Sequence, residues 1–318
     1  MSNHVIDRSV WIVGAGPMAE DHAKVLLHLG ITPTVIGRGE ESARVFEDRV
    51  GVNVNRGGID AYLNTKQPNN DTFIIIAVGT EALMPILLKF KHLDFNRILI
   101  EKPAAVSIAE LLTHEQELEP VQSRVFIGYN RRFYPSVEKA IELIEEDGGL
   151  TSMHFEFTEW SHRIAPLQKA PGVKENWFFA NSTHVVDLAF FIAGPPKDWY
   201  SYAKSGTLSW HKRSIFSGAG ITTQGVVFSY HSNWESAGRW GVELMTDKRK
   251  ILLRPLEEVQ VINRGTIKAV QMELASNELK PGLLKQFQAF VNLSEKSNLL
   301  INLAQHIDNA RTVYAQIC

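Results

Sequence analysis

Cysteine is almost absent: the chain of 318 residues has one, Cys318, at its last position. An intrachain disulfide is therefore excluded, and so is any site built on several cysteines, a structural zinc site among them. This usage fits a reducing compartment. Charge of one sign is also lacking. Lys and Arg total 33 against 35 Asp and Glu, a formal net charge of -2, which gives no field for nucleic acid or an anionic lipid surface. No apolar run reaches the roughly 18 residues of a membrane-spanning helix. The start, MSNHVIDRSV, lacks a basic segment followed by a long apolar one, so no signal peptide is expected and the protein reads as cytoplasmic, without a membrane partner. The eleven histidines form no HExxH or HxxxH pattern, so no metal site is expected. A GxSxG elbow is missing as well, which argues against Ser-His-Asp hydrolysis. Repeats and low-complexity tracts are absent.

What is present is enough apolar sequence, 44% of the chain, to fill the cores of two domains. Ser9 to Val13, Pro33 to Ile36, Phe73 to Val78, Arg97 to Ile100 and Val125 to Ile127 are short and largely apolar, and read as buried strands. Between them Met18 to Leu29, Glu40 to Arg49, Leu83 to Phe90 and Ile108 to Glu117 have helical spacing. Strands alternating with helices predict βαβ units and a parallel sheet.

The pattern then changes. His154, Glu156 and Thr158 alternate with Phe155, Phe157 and Glu159, and Thr222 to Tyr230 reads as extended. Trp240 to Met245 and Lys250 to Leu253 flank a hairpin-like turn, and Val259 to Asn263 continues the β-rich region. Two helices are expected near Gly282 to Asn292 and Leu299 to Ala315. The expected fold is an α/β Rossmann domain with a mainly parallel sheet over residues 1–125. An α+β domain with a large, mainly antiparallel open sheet is expected over 126–318.

Gly14-Ala15-Gly16-Pro17-Met18-Ala19 is a GxGxxA form of the dinucleotide fingerprint, placed after an apolar strand and opening a helix. Gly14 permits the tight turn, Gly16 lets the backbone approach a pyrophosphate, and Ala19 lets the helix pack close to the strand. The helix start, with Pro17 and Met18, offers free N–H groups and partial positive charge to phosphates. Where an acidic residue is expected to take the ribose 2′-hydroxyl, the second strand ends in Gly37-Arg38-Gly39. Arg38 can pair with a 2′-phosphate, which favours NADP(H) over NAD(H). A solvated surface charge is the plain reading of the same arginine.

Ile100-Glu101-Lys102-Pro103 ends the fourth of these strands, at the edge where open α/β sheets bind ligands. From position alone Lys102 is either catalytic or a surface charge. Together with the glycine loop, this EKP segment closely resembles the glucose-fructose oxidoreductase, inositol dehydrogenase and rhizopine catabolism (Gfo/Idh/MocA) family. Gly128-Tyr129-Asn130-Arg131-Arg132-Phe133 with Pro135 looks like the family's GxNRRF segment. Trp177 and His184-Val185-Val186-Asp187-Leu188, ending at Gly194, resemble its HxxD helix. The motifs occur in family order over about the first 195 residues.

The resemblance implies an NAD(P)-dependent oxidoreductase moving a hydride between nicotinamide and a sugar, sugar derivative or polyol bound at the open sheet. Lys102 would stabilise or protonate the substrate oxygen, and His184 would be the general acid/base. Gly14, Gly16, Pro17, Met18, Ala19, Arg38, Val78, Gly79, Glu101, Lys102 and Asn130 would contact the cofactor. Tyr129, Arg131, Asn181, Thr183, Lys102 and His184 would contact substrate. One of Arg131 and Arg132 would hold an anionic substrate group while the other makes a structural ion pair. The i, i+3 spacing of His184 and Asp187 allows them to pair. Trp160 to Trp177, with Pro166 and Pro171 and several basic residues, reads as a loop.

One departure stands out. Many family members carry an aspartate four residues before the histidine, and this chain has Ala180 there. That leaves room for a second reading, a non-catalytic dinucleotide-binding sensor or scaffold. A homo-oligomer, dimer or tetramer, is expected from the uncovered sheet face.

Overall fold

The computed structural model describes residues 9–274, 278–292 and 299–318. The chain forms two units, one of Met1–Tyr129 with Glu278–Asp308, the other of Asn130–Asn277 with Asn309–Cys318.

The first unit is built on six parallel strands: β1 (Val10–Val13), β2 (Thr34–Ile36), β3 (Val54–Asn55), β4 (Phe73–Ile76), β5 (Arg97–Ile100) and β6 (Val125–Ile127), in the order β3-β2-β1-β4-β5-β6. This is the doubly wound Rossmann order, with its switch point between β1 and β4. Every residue of β1 and β4 is buried, which is why these strands are apolar runs rather than alternating ones.

The expected domain division at 125/126 differs from the observed units, because the chain returns to the first unit near its end. The helix Leu283–Val291 packs on the helix Pro17–His28. Its Phe290 stands edge-on to Phe73 (5.5 Å) and Phe126 (6.3 Å). Arg97 caps its end by donating Nη1–H to the Phe290 carbonyl at 3.0 Å. The Leu283, Phe287, Phe290 stripe, at helical spacing, thus completes the core of a domain that the sequence began more than 150 residues earlier.

The second unit carries an eight-stranded sheet of β7 (Ser152–Glu156), β8 (Pro196–Lys204), β9 (Ile215–Thr222), β10 (Val227–Asn233), β11 (Gly241–Met245), β12 (Arg249–Leu253), β13 (Gln260–Asn263) and β14 (Val270–Gln271). The order is β14-β13-β12-β11-β7-β10-β9-β8, antiparallel except between β7 and β10. One face is packed by the helix Thr183–Ala193, whose Phe190 stands edge-on to Phe155 (5.6 Å) and Phe228 (5.1 Å). The other face exposes Tyr200, Tyr202, Ile221 and Val227, interspersed with His154, Glu156 and His231.

Several expected elements differ in detail. Thr222 to Tyr230 is a hairpin rather than one extended run. Gly225 turns at φ +81, and the Thr222 hydroxyl accepts the Val226 N–H at 3.2 Å. Ile108 to Glu117 breaks at His114 into two helices. The last helix begins only at Leu303 and loosens into a π turn over Ala310–Tyr314. The segment expected as a loop contains a short helix, Ser161–Ile164. The helix Pro135–Glu146 and the strands β8 and β9 were not anticipated at all.

Candidate functional site

At the β1/β4 switch point of the first unit lies a cavity of about 780 Å³, lined in part by Gly14, Gly16, Pro17, Met18, Arg38, Val78 and Gly79. Two glycines there are required for different reasons. Gly14 has φ +129, and a Cβ on it would fall 2.1 Å from the Ala77 carbonyl oxygen. Only glycine lets β1 end this close to β4. A Cβ on Gly16 would meet nothing within 4 Å, so the space above it is open to a ligand.

Gly16 is the extended residue before the helix, with Pro17 at the first helical position and no side-chain cap. The N–H groups of Met18 and Ala19 therefore have no intrahelical acceptor, and the helix start is suited to a pyrophosphate. Ala19 is fully buried beneath it, as close helix–strand packing needs. These residues fit a dinucleotide. Ser42, Gly57 and Gly58, also in the lining, were missed by sequence reasoning. The glycine pair after β3 was the available signal.

Arg38 is exposed on this lining and makes no ion pair among the described residues. Three acidic residues that follow it in sequence are engaged elsewhere. Glu40 and Glu47 both take the Arg56 guanidinium (2.9 and 2.8 Å), and Glu41 takes Arg44 (2.8 Å). Hydrogen bonds from Arg56 and the Val54 N–H hold Glu47 down at about 2.

The EKP segment follows β5. Glu101, expected beside the cofactor, is bonded through Oε1 to Nε2 of His22 at 2.9 Å. His22 is buried on the helix Pro17–His28, so this pair ties the segment to the glycine-loop helix. Lys102 is half-buried and precedes a cis peptide to Pro103. The Pro103 carbonyl accepts Nε2–H of His306 at 3.0 Å, and the His306 ring lies 5.7 Å from that of Tyr129.

The second unit gathers Asn130, Arg131, Asn181, Thr183 and His184. Of the two arginines, Arg132 is the structural one. It donates Nε–H (2.8 Å) and Nη2–H (2.5 Å) to the two oxygens of Asp187, with both side chains buried. Both Asp187 oxygens, which the i, i+3 spacing allowed to pair with His184, are engaged by Arg132. Burial pushes Asp187 up, and Arg132 opposes it. Removing one partner of such a pair costs about 3–5 kcal/mol.

Phe178–Ser182 is a π turn, a distortion often found at functional sites. It leads directly into the helix that carries His184. Thr183, expected to touch substrate, is fully buried and donates its hydroxyl to the Phe179 carbonyl at 2.9 Å. His184 is buried, its ring 6.1 Å from that of Trp240. The Arg131 guanidinium sits 4.9 Å from the same indole.

Sequence reasoning missed Glu159. It is 2% exposed, and it accepts from Asn181 Nδ2 (2.9 Å) and the Ser182 hydroxyl (2.8 Å) on the π turn. A carboxylate thus reaches the turn where position 180 supplies only a methyl group. The signal was there, because Glu159 shares parity with the buried Phe155 and Phe157. Burial pushes its carboxyl above the ordinary range, against the donors Ser182 and Asn181 and the charge of Arg239. Among the described residues no cluster of three or more His, Cys, Asp or Glu could hold a metal, and no helix is long and apolar enough to cross a membrane.

The chain matches no protein-family model and no curated protein. Its fold is nevertheless shared along nearly its whole length with solved oxidoreductases. One is an oxidoreductase from Agrobacterium radiobacter in complex with NAD+, L-tartaric acid and magnesium: 12% identity, TM-score 0.73, covering 98% of this chain and 96% of that one. A second is UDP-N-acetylglucosamine 3-dehydrogenase from Acidithiobacillus ferrooxidans: 14%, TM-score 0.71, covering 98% and 97%. A third is levoglucosan dehydrogenase in complex with NADH and L-sorbose: 15%, TM-score 0.69, covering 95% and 94%. What these likenesses share with the chain is the two-domain fold.

The two glycines separate folding from binding. Gly16→Ala is expected to leave thermal unfolding within a degree or two of wild type and to weaken nicotinamide-dinucleotide binding about tenfold or more, because its methyl enters only the open space. Gly14→Ala is expected to cost about 3 kcal/mol or more in urea unfolding, since both its φ and the Ala77 carbonyl forbid a Cβ. Equal stability of the two variants would contradict this division.

Glu159 has a pH signature. A carboxyl whose folded value is raised binds its proton more readily in the folded than in the unfolded chain. Stability falls as pH rises from the unfolded value of about 4.3, and the cost is complete above the raised folded value. Glu159→Gln removes that cost. Its Tm relative to wild type should be flat below about pH 4.3 and climb as pH rises above it; a difference that stays constant with pH would show that Glu159 titrates normally.

Proposed function

We propose that this protein is an NADP(H)-dependent oxidoreductase acting on a sugar, sugar derivative or polyol. The observation that carries the reading is the cavity at the β1/β4 switch point, with Gly16 and the uncapped helix start beside Arg38, whose sequence neighbours Glu40 and Glu41 are paired with Arg56 and Arg44. When bound there, the dinucleotide supplies hydride chemistry that no side chain can provide.

The chain's own share is binding, orientation and proton movement. Met18 and Ala19 N–H groups hold the pyrophosphate, and Arg38 forks onto a 2′-phosphate. Val78 and Gly79, in the cavity lining, take the nicotinamide half in this reading, and Asn130 is assigned to it by resemblance. Lys102 stabilises the substrate oxygen and His184 gives or takes its proton. Tyr129, Arg131 and Asn181 hold substrate. The likeness to levoglucosan dehydrogenase and UDP-N-acetylglucosamine 3-dehydrogenase supports a carbohydrate substrate. Two of the similar structures contain NAD+ or NADH, so the 2′-phosphate preference rests on Arg38 alone. Ala180 favours the second reading, a dinucleotide-binding sensor or scaffold.

Dissociation constants for NADPH and NADH, with wild type and Arg38→Ala, come first. NADPH is expected to bind about tenfold tighter, with the gap closing in the variant; equal binding in wild type would remove the NADP(H) preference. Turnover is then followed across sugars, sugar derivatives and polyols. Lys102→Met and His184→Ala should each lower kcat/KM by about a hundredfold or more. Dinucleotide binding without turnover on any of them would establish the second reading.

The sheet face bearing Tyr200, Tyr202, Ile221 and Val227 further supports a homo-oligomer, dimer or tetramer. Sedimentation at about 10 μM should show no monomer peak, the regime in which an interface of standard size is occupied.

A further inference from the structure

Outside the residues assigned so far, one side chain is held in a way that surface arginines are not. The Arg239 guanidinium lies 4.7 Å from the Trp160 ring and 4.8 Å from the Trp240 ring. Trp160 is itself fixed: its Nε1–H donates to the Gly238 carbonyl at 2.9 Å, closing the indole onto the segment that carries Arg239. Gly238 must be glycine for this, having φ +150 and a would-be Cβ 2.2 Å from Glu156 Oε1. Trp240 is 5% exposed, and its buried Nε1 has no acceptor among the described residues.

A guanidinium stacked on aromatic rings has committed its faces and keeps its in-plane N–H fork for recognition. Arg239 uses none of that fork in a hydrogen bond among the described residues. Its nearest carboxylate, Glu159 Oε2, is 3.9 Å away, too far for one. The side chain remains 43% exposed. Arg131 brings a second guanidinium to the Trp240 indole, and the His184 ring meets that indole too.

We propose that Arg239, clamped by Trp160 and Trp240, forms an oxyanion subsite that makes the substrate a carboxylate- or phosphate-bearing sugar rather than a neutral one. This rests on the oxidoreductase reading for the word substrate, but the subsite itself does not. The fork takes two oxygens of the anion in parallel. The apolar walls exclude water from one side of the pair, and Arg131 adds field. The same Trp240 indole lies 4.8 Å from the Arg239 guanidinium and 6.1 Å from the His184 ring, so the subsite and the proton-moving group share one wall.

The test is calorimetric titration of full-length, NADPH-loaded protein with D-gluconate, D-glucose 6-phosphate and neutral D-glucitol, for wild type, Arg239→Gln and Arg239→Lys. At least one anion should bind about tenfold or more tightly than glucitol, the scale of one charge-assisted hydrogen bond. Arg239→Gln should bring all three within about twofold of one another, and Arg239→Lys should recover only part of the gap, having charge without the fork. Gluconate favoured over the phosphate assigns a carboxylate, and the reverse a phosphate.

Glucitol binding as tightly as both anions, an anion preference that survives Arg239→Gln, or no binding of either anion up to about 10 mM would each overturn the proposal. A wild-type thermal unfolding curve for Arg239→Gln, followed by tryptophan fluorescence of the unit that carries Arg239, shows that the variant is folded. Preference for an anion in wild type without turnover of any compound would leave the subsite standing and remove the enzymatic reading instead.

Discussion

Gly14 sets the closest backbone approach in the first unit, and much of that unit depends on it. With the Ala77 carbonyl 2.1 Å from where a Cβ would stand, β1 can end against β4 and the chain can turn straight into a helix. The sheet then reverses its order at this point, and a cavity opens at the same strand ends. Pro17 at the first helical position and the absence of a side-chain cap leave the helix dipole and its orphan N–H groups facing that cavity. The binding property is thus a by-product of how two strands are allowed to meet.

Legibility of the fold followed burial. Strands β1, β4 and β5, enclosed on both faces, stand out as apolar runs, and the sequence announces them together with the glycine loop. Strand β8 does not stand out. At the sheet edge, with Tyr200 and Tyr202 each 74% exposed, it has no strong two-residue alternation to read. Strand β3 is only two residues long. Side chains that matter through distant partners were hidden for a different reason. That Arg132 rather than Arg131 is structural depends on Asp187, 55 positions away, and no local pattern states it. Glu159 was half-visible: its parity with Phe155 and Phe157 marks a buried acid, but only the fold shows that its oxygens go to Asn181 and Ser182.

The charges of this near-neutral chain are largely settled in small groups. Arg56 joins Glu40 and Glu47, Arg132 joins Asp187, and Arg249 joins Asp147. The exposed pair of Arg56 and Glu40 contributes little to stability, as surface ion pairs do. The larger effect is on specificity: Glu40 and Glu41, bonded to other arginines, do not compete for the guanidinium of Arg38. Arg38 and Arg239 keep their forks available in a protein whose net charge is only -2.

The return of Glu278–Asp308 to the first unit bears on how the protein is made. Synthesis runs from the N-terminus, so β1 to β6 leave the ribosome long before the helix Leu283–Val291 that covers Phe73 and Phe126. Until then a sheet with part of its apolar face bare must wait through the translation of the second unit, at about 5–20 residues per second. The nascent first domain is therefore an incomplete body for roughly 8–30 seconds, and its last stitch is sewn by a segment that emerges only after the second unit's sheet.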